Sequence, residues 1–186
     1  LAVLRIECAF ERRITAPYGS IEYVVPVFRA GGDRATFADA RFGVDLFKLE
    51  SPVPAADVPE PGAAGSDAVQ ALFHELDRAA GRPWVMLSAG AGMDEFRRVL
   101  HYAYAAGASG YLAGRAIWLK AFQHFPDWAG IRDELRNEAV PYMRGLNALT
   151  DGAARPWHTH ACYGSGGAKV EPADASFRHV YAGFGG

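Results

Sequence analysis

The sequence predicts an α/β protein with a parallel sheet, on the strength of two observations. Four short apolar runs, each too short for a helix, alternate with longer stretches whose apolar residues recur at helical spacing. The runs are apolar throughout, as is typical of strands that are covered on both faces. This alternation indicates βαβ units, in which neighbouring strands run parallel.

The predicted strands are residues 2–9, 44–50, 84–87 and 110–113. Segment 10–40 is harder to assign, because its apolar residues near position 25 suit a helix but Pro26, Gly31 and Gly32 disturb one. Residues 51–65 contain four prolines and read as a loop.

The predicted helices follow from capping signals and apolar spacing. Ser66 can N-cap a helix that Gly81 ends. Asp94 and Glu95 suit the first turn of the next helix, which we expect Gly107 to stop. Two more helices are expected, one from about residue 116 and one over 131–149, which Pro141 would kink or divide. The predicted domain covers residues 1–151, and an irregular C-terminal extension covers 152–186.

Composition excludes several classes of function. The 186 residues carry a formal net charge of −2, and no Lys/Arg cluster is interleaved with aromatic residues, so we expect no nucleic-acid partner. No apolar stretch reaches the length of a membrane span, so no membrane partner is expected. Cys8 and Cys162 suggest reduced thiols in a cytoplasmic protein rather than a disulfide framework.

Lys48 is the most informative residue, because it lies inside the apolar run 44–50. Burying a lysine is unfavourable unless its charge is used or lost, and a neutral lysine amine is a nucleophile towards carbonyl carbons. The alternative is an edge-strand lysine whose ammonium group reaches water. The segment by itself leaves both interpretations open.

Distinctive residues also stand at each of the four predicted strand ends, where parallel α/β folds gather their reactive groups. A carboxylate can shuttle protons, a desolvated lysine can form a Schiff base with a ketone, and small residues with an arginine can bind an anion. Taken singly, these residues could equally be an ion-pair partner, ordinary turn residues and a solvated arginine. In chain order they are Glu7, Lys48, Ser88 with Gly90, and Gly114 with Arg115.

Three stretches together resemble the class I tagatose-1,6-bisphosphate aldolase family, whose relatives include sulfofructose-phosphate aldolases. They are GVDLFKLE at 43–50, LSAG at 87–90 and AGASGYLAGRAIW at 106–118. The resemblance implies that Lys48 forms the Schiff base, that Glu7 is the acid/base residue, and that Arg115 binds phosphate with Ser88, Gly90 and Gly114. It implies a sugar-phosphate substrate cleaved to dihydroxyacetone phosphate and glyceraldehyde 3-phosphate, with no cofactor and no metal.

The same resemblance implies that the chain is the C-terminal half of a (β/α)8 barrel, with strands 5 to 8 and four βα units. The chain begins at Leu1 and enters a strand at once, so we expect a fragment whose sheet edges and apolar face are left uncovered. Three alternatives stay open. The substrate could carry a sulfonate in place of one phosphate, the half-barrel could be non-catalytic, or the enzyme could bind phosphate without forming an imine. Whether the chain forms a homo-oligomer is also left open.

His158-Thr159-His160 is a weaker signal. Alternating histidines could bind a metal, but no carboxylate or thiolate cluster at a recognisable spacing accompanies them. We therefore expect a loop that packs on the barrel.

Overall fold

The computed structural model describes residues 6–7, 44 and 46–168, with the backbone alone at positions 6 and 7. Four parallel strands form one sheet in the order β1-β2-β3-β4. The predicted α/β class and parallel sheet are therefore confirmed. The strands are β1 Ile6–Glu7, β2 Leu46–Leu49, β3 Trp84–Leu87 and β4 Gly110–Leu112.

Five α-helices follow or connect these strands. Helices α1 and α2 cross from β2 to β3 and from β3 to β4, and the others follow β4. Their bounds are α1 Ser66–Ala80, α2 Met93–Ala106, α3 Arg115–Phe122, α4 Trp128–Glu134 and α5 Val140–Ala153. A π-helical turn, Leu135–Ala139, joins α4 to α5, and short 3₁₀ turns lie at Ala55–Asp57, Trp157–Thr159 and Ala161–Tyr163.

The helix termini agree with the sequence signals except at the start of α1. Gly81 and Gly107 are the C-caps of α1 and α2, both with positive φ, and Asp94 and Glu95 lie in the first turn of α2. Ser66 was expected to be an N-cap, but it is the first helical residue, and Gly65 at φ +84° occupies the cap. The expectation was wrong because the left-handed turn before the helix needs a glycine, which places the cap one residue earlier.

The α-helix expected over residues 131–149 is divided just before Pro141, which is one of the two effects that the sequence predicted for this proline. The helical path runs from Trp128 to Ala153, and the π turn Leu135–Ala139 ends immediately before the turn that contains the proline. Proline lies at the first turn of α5, where an absent N–H costs little. The wider π turn marks the place where the regular hydrogen-bond ladder changes.

One face of the sheet packs on the helices and forms the core. Side chains alternate along each strand, and Phe47 and Leu49 of β2 are 3% and 4% exposed. Trp84 and Met86 of β3 are fully buried on the same face, since their register partners are the buried residues of β2. The helices contribute Phe73, Leu76, Phe96, Val99, Leu100, Tyr142 and Leu146 to this core.

Several expectations fall outside the described residues. They concern segment 10–40, most of the predicted strand 2–9, Cys8 and the last part of the C-terminal extension. Cys162 is described, and its thiol is free and exposed. Among the helices of the part of the chain that the structure describes, none combines the length and apolarity needed to cross a membrane.

Candidate active site

Lys48 lies on the face of the sheet opposite the helices. Its neighbours Phe47 and Leu49 both point into the core, so strand alternation places Lys48 on the other face, where it is half-buried. The register pairs it with Val85, which is also half-buried. Among the described residues, Lys48 makes no hydrogen bond or ion pair.

Lys120 differs from Lys48 in its surroundings. Its Nζ lies 2.6 Å from Oε1 of Glu134, and the hydrogen bond to this carboxylate raises the pKa of Lys120. A raised pKa keeps the amine protonated and removes its lone pair. The third lysine of the chain, Lys169, lies outside the described residues. Of the two described lysines, Lys48 is the one whose amine forms no ion pair with a carboxylate of the described residues.

A tight turn follows β3 at residues 88–91. The carbonyl oxygen of Ser88 accepts a hydrogen bond from the N–H of Ala91 at 2.8 Å, while Ala89 and Gly90 have φ values of +47° and +86°. Holding alanine in the left-handed region costs about 1–2 kcal/mol. Within the described chain, the N–H groups of Ala89 and Gly90 have no hydrogen-bond partner. The turn thus presents two free backbone donors at the sheet edge.

Ser88 ties this turn to the next strand. It is only 5% exposed, and its N–H donates to the carbonyl oxygen of Leu112 at 3.1 Å. The hydrogen bond fixes the end of β3 against the end of β4. As a result, the turn after β3 and the start of α3 lie at the same edge of the sheet.

Arg115 reaches back from α3 onto the turn. Its Nη2 and Cζ atoms lie 3.4 and 3.7 Å from the position that a Cβ on Gly90 would occupy. The two residues were predicted to share a site on strand-end position alone, and the structure places the guanidinium against this glycine. Arg115 itself is exposed to solvent. A fixed positive charge therefore lies beside the free backbone donors.

The N-terminus of α3 adds further donors. Gly114 is the N-cap, and its carbonyl accepts from the N–H of Ile117 at 2.8 Å and of Trp118 at 3.2 Å. No side chain caps this end, so the N–H groups of Arg115 and Ala116, at the start of the helix, have no partner within the described structure. Unpaired N–H groups and the helix dipole both favour an anion here.

The structure therefore brings four of the predicted site residues into one cluster, Ser88, Gly90, Gly114 and Arg115. Lys48 lies deeper in the sheet. The register partner of Lys48 is Val85, three residues before Ser88 on the adjacent strand. At the rise of a β-strand this separation is about 10 Å along the strand direction.

Glu7 is described by its backbone alone. Its register partner on β2 is Phe47, the residue immediately before Lys48. β1 and β2 are thus adjacent, as predicted, and Glu7 lies beside the strand that bears the lysine. That its carboxylate acts with Lys48 stays a prediction.

Trp118 ends the stretch 106–118, but the sequence predicted no role for it. Its indole Nε1 is 3.5 Å from the position that a Cβ on Gly114 would occupy. The signal that could have found it is its spacing of three residues from Arg115 on one helix. Side chains of a helix lean towards its N-terminus, so a residue in this position covers the first turn.

The two histidines of the C-terminal segment have separate surroundings. His160 is 8% exposed, and its Nδ1 accepts a hydrogen bond from the N–H of Cys162 at 3.2 Å, whereas His158 is exposed. In the described part of the chain, no three or more His, Cys, Asp or Glu residues are grouped so that they could hold a metal ion. His160 is instead a cap of the 3₁₀ turn Ala161–Tyr163.

Comparison with known proteins links this geometry to aldolases. Residues 33–120, which include the lysine and the whole anion cluster, match the DeoC/LacD family aldolases. The chain is 31% identical over 160 residues to tagatose 1,6-diphosphate aldolase 1 of Streptococcus pyogenes serotype M3. The matched region covers 80% of this chain and 48% of that relative.

Two other relatives are also named as tagatose 1,6-diphosphate aldolases. The chain is 32% identical over 149 residues to tagatose 1,6-diphosphate aldolase 2 of Streptococcus mutans serotype c, covering 74% of this chain and 45% of the relative. It is 31% identical over 159 residues to the tagatose 1,6-diphosphate aldolase of Streptococcus pneumoniae strain R6, covering 80% and 48%. The predicted resemblance is confirmed, and the chain spans about half the length of the curated relatives it matches.

Proposed function

We propose that the chain, which matches the DeoC/LacD family aldolases over residues 33–120, carries the Schiff-base half of a class I aldolase. The substrate is tagatose 1,6-bisphosphate, which is cleaved to dihydroxyacetone phosphate and glyceraldehyde 3-phosphate. The observation that carries the proposal is a lysine on β2 that has no hydrogen bond or ion pair among the described residues and lies about 10 Å along the strands from a cluster of anion donors.

The strand order supports a barrel rather than a doubly wound sheet. The four strands follow one another in chain order, and the described helices pack on one face only. A doubly wound sheet reverses its order at a switch point and covers both faces. In a barrel each new strand is added on the same side, and the opposite face lines the interior. We assign the described part to four consecutive strands of such a barrel, with Lys48 on the interior face.

The lysine carries out the covalent chemistry. Nζ of Lys48 attacks the C2 carbonyl carbon of the ketose, and loss of water gives a protonated imine. Glu7 removes the proton from the C4 hydroxyl, and the C3–C4 bond breaks to release glyceraldehyde 3-phosphate. The bonding electrons move to the imine nitrogen and form an enamine. Protonation at C3 and hydrolysis of the imine then release dihydroxyacetone phosphate and restore the amine.

The anion cluster holds the C1 phosphate of the ketose. The guanidinium of Arg115 offers several donors in a fixed fork, and the turn at Gly90 and the start of α3 supply backbone N–H groups. The phosphate and C2 are separated by only C1 and one oxygen. Binding the phosphate in this cluster therefore holds the carbonyl carbon near the end of the Lys48 side chain.

Trapping tests the proposal directly. The chain is incubated with dihydroxyacetone phosphate and borohydride, which reduces an imine to a stable amine, and the modified peptide is identified by mass spectrometry. We expect one adduct, on the peptide that contains Lys48. Lys48→Met should abolish the adduct, whereas Lys120→Met, a matched change at a lysine already paired with Glu134, should retain it.

Three outcomes would contradict the proposal. An adduct on Lys120 or Lys169 would assign the reactive amine elsewhere. No adduct, with a folded circular-dichroism spectrum, would indicate a non-catalytic half-barrel. Full retention of aldol cleavage by a Lys48→Met variant of a complete barrel would indicate chemistry without an imine. A sulfonate-bearing ketose cleaved in preference to the bisphosphate would keep the mechanism and change the substrate.

A further inference from the structure

The indole of Trp118 presents its polar edge to the anion cluster. If a Cβ is built on Gly114, Nε1 is the one atom within 4 Å of it, apart from chain neighbours and the backbone of the helix. The N–H edge of the ring, rather than its carbon edge, therefore faces the start of α3. Gly114 is the N-cap of that helix, and Arg115 follows it.

The indole is held in place yet open to solvent. Its ring packs edge-to-face on Phe122, with ring centroids 5.4 Å apart, one helical turn further along α3. The side chain is 40% exposed, and within the described residues its N–H donates to no acceptor. An indole that buries its N–H usually finds a partner, as Trp84 does with Oδ1 of Asp77 at 2.8 Å. Trp118 is thus a donor that is held in place and has no acceptor among the described residues.

We propose that Trp118 binds the substrate phosphate through its indole N–H and thereby favours phosphorylated ketones over unphosphorylated ones. This inference rests on the proposed function, because it names one more residue of the same anion cluster. The indole N–H lies beside Gly114, and the residues that follow Gly114 contribute the free N–H groups of α3. The guanidinium of Arg115 lies against Gly90. A phosphate bound by the helix start is consequently within reach of the indole.

The absence of a side chain at Gly114 has a specific consequence under this proposal. A methyl group there would lie in ordinary contact with Nε1, at 3.5 Å, so it fits without strain. It would, however, cover the N–H and exclude a phosphate oxygen from it. Glycine at this position keeps the donor accessible, in addition to allowing the backbone to approach an anion closely.

The test substitutes Trp118→Phe, which retains an aromatic ring against Phe122 and removes only the donor. Borohydride trapping on Lys48 is measured against ketone concentration for dihydroxyacetone phosphate and for unphosphorylated dihydroxyacetone. Because Trp118→Phe removes a hydrogen bond to a charged group, we expect its apparent affinity for the phosphorylated ketone to fall about tenfold. Its apparent affinity for the unphosphorylated ketone should not change. Trp128→Phe is the matched control, since Trp128 is also exposed and packs edge-to-face on Phe125.

The outcomes separate the two levels of the proposal. If the wild-type chain traps neither ketone, the proposed function fails. If it traps both, and Trp118→Phe behaves like Trp128→Phe or weakens both ketones equally, the role of Trp118 is refuted and the aldolase proposal stands.

A measurement independent of Lys48 addresses the same donor. The ¹H–¹⁵N signal of the Trp118 indole, assigned by its loss in Trp118→Phe, is followed as inorganic phosphate is added at constant ionic strength. We expect saturable movement of this signal and none of the Trp128 signal. A Trp118 signal that does not move, or that moves only in parallel with Trp128, overturns the inference.

Discussion

At the scale of single residues, Gly90 combines a conformation that favours glycine with a contact to the anion cluster. Its φ of +86° lies in the left-handed region, and the guanidinium of Arg115 lies 3.4 Å from its Cβ position. Gly62 has nearly the same φ, +82°, but has nothing within 4 Å of its Cβ position. The two glycines therefore separate the cost of the backbone conformation from the effect of a methyl group beside the arginine.

We predict that Gly90→Ala and Gly62→Ala each lower the free energy of unfolding by about 1 kcal/mol, because alanine is strained at positive φ. Only Gly90→Ala should also weaken trapping of dihydroxyacetone phosphate, since a methyl group there lies against the guanidinium and takes space that a phosphate oxygen would occupy. Urea unfolding and trapping titrations measure the two effects. Equal trapping by both variants would show that Arg115 does not bind the phosphate from its position over Gly90.

The sequence predicted individual site residues better than the contacts among them. The alternation of β2 predicts which face Lys48 occupies once Phe47 and Leu49 are assigned to the core. The ends of β3 and β4 place Ser88 and Arg115 at one edge of the sheet. The reach of Arg115 over Gly90 and the orientation of the Trp118 indole could not be predicted, because long side chains choose rotamers according to tertiary neighbours.

At the scale of secondary-structure elements, α1 and α2 end in the same way but meet different surroundings. Both have a glycine C-cap, Gly81 at φ +58° and Gly107 at φ +107°. Gly81 has open space around its Cβ position, whereas Cζ and Nη2 of Arg155 lie 3.0 Å from that of Gly107. The N–H of Arg155 also donates to the carbonyl of Ala108 at 3.0 Å, so this cap anchors the segment that follows α5.

We predict that Gly81→Ala costs about 1 kcal/mol of unfolding free energy and that Gly107→Ala costs about twice as much. The larger cost has two causes, a φ beyond the left-handed helical region and a guanidinium that must move. Hydrogen exchange at residues 155–164 should accelerate in Gly107→Ala alone. Equal stability loss in the two variants, with unchanged exchange, would contradict an anchoring contact between Arg155 and the cap.

Element boundaries were predictable where one local cause decides them. Strand β3 agrees with its predicted range because the apolar run ends at a small polar turn. Both glycine C-caps were predicted from the position of a glycine directly after a helical pattern. The π turn before Pro141 was not predicted, because the proline leaves several responses open and packing of the surrounding helix selects among them. The cap at Gly65 was missed since Ser66 offers the stronger local signal.

At the scale of the whole molecule, the fold separates a packed face from an open one. The helices cover the face with Phe47 and Trp84, while the face with Lys48 includes Leu112, which is 40% exposed. Parallel strands in chain order and apolar runs made the α/β class predictable. How the open face is completed depends on contacts that are remote in sequence, and no local pattern specifies these.

The C-terminal segment, residues 154–168, couples the stability of the whole chain to pH through His160. Its Nδ1 must be unprotonated to accept the N–H of Cys162. Burial lowers the pKa of His160, and the charges of Arg155 and Arg82 lower it further, while Asp77 acts in the opposite direction. The folded chain therefore binds a proton on this ring less readily than the unfolded chain, whose histidine has a pKa near 6.5.

Stability contributed by His160 is consequently present above about pH 6.5 and lost as pH falls from there towards the lowered folded pKa. We predict that the urea midpoint of the wild-type chain falls between pH 7 and pH 5.5. His160→Asn keeps a cap acceptor that does not titrate, so its midpoint should change less over this range. His160→Ala should be less stable than His160→Asn at every pH, because it lacks the acceptor, and its midpoint should depend on pH equally little. A wild-type slope equal to that of His160→Asn would show that the protonation of this buried ring does not limit the stability of the fold.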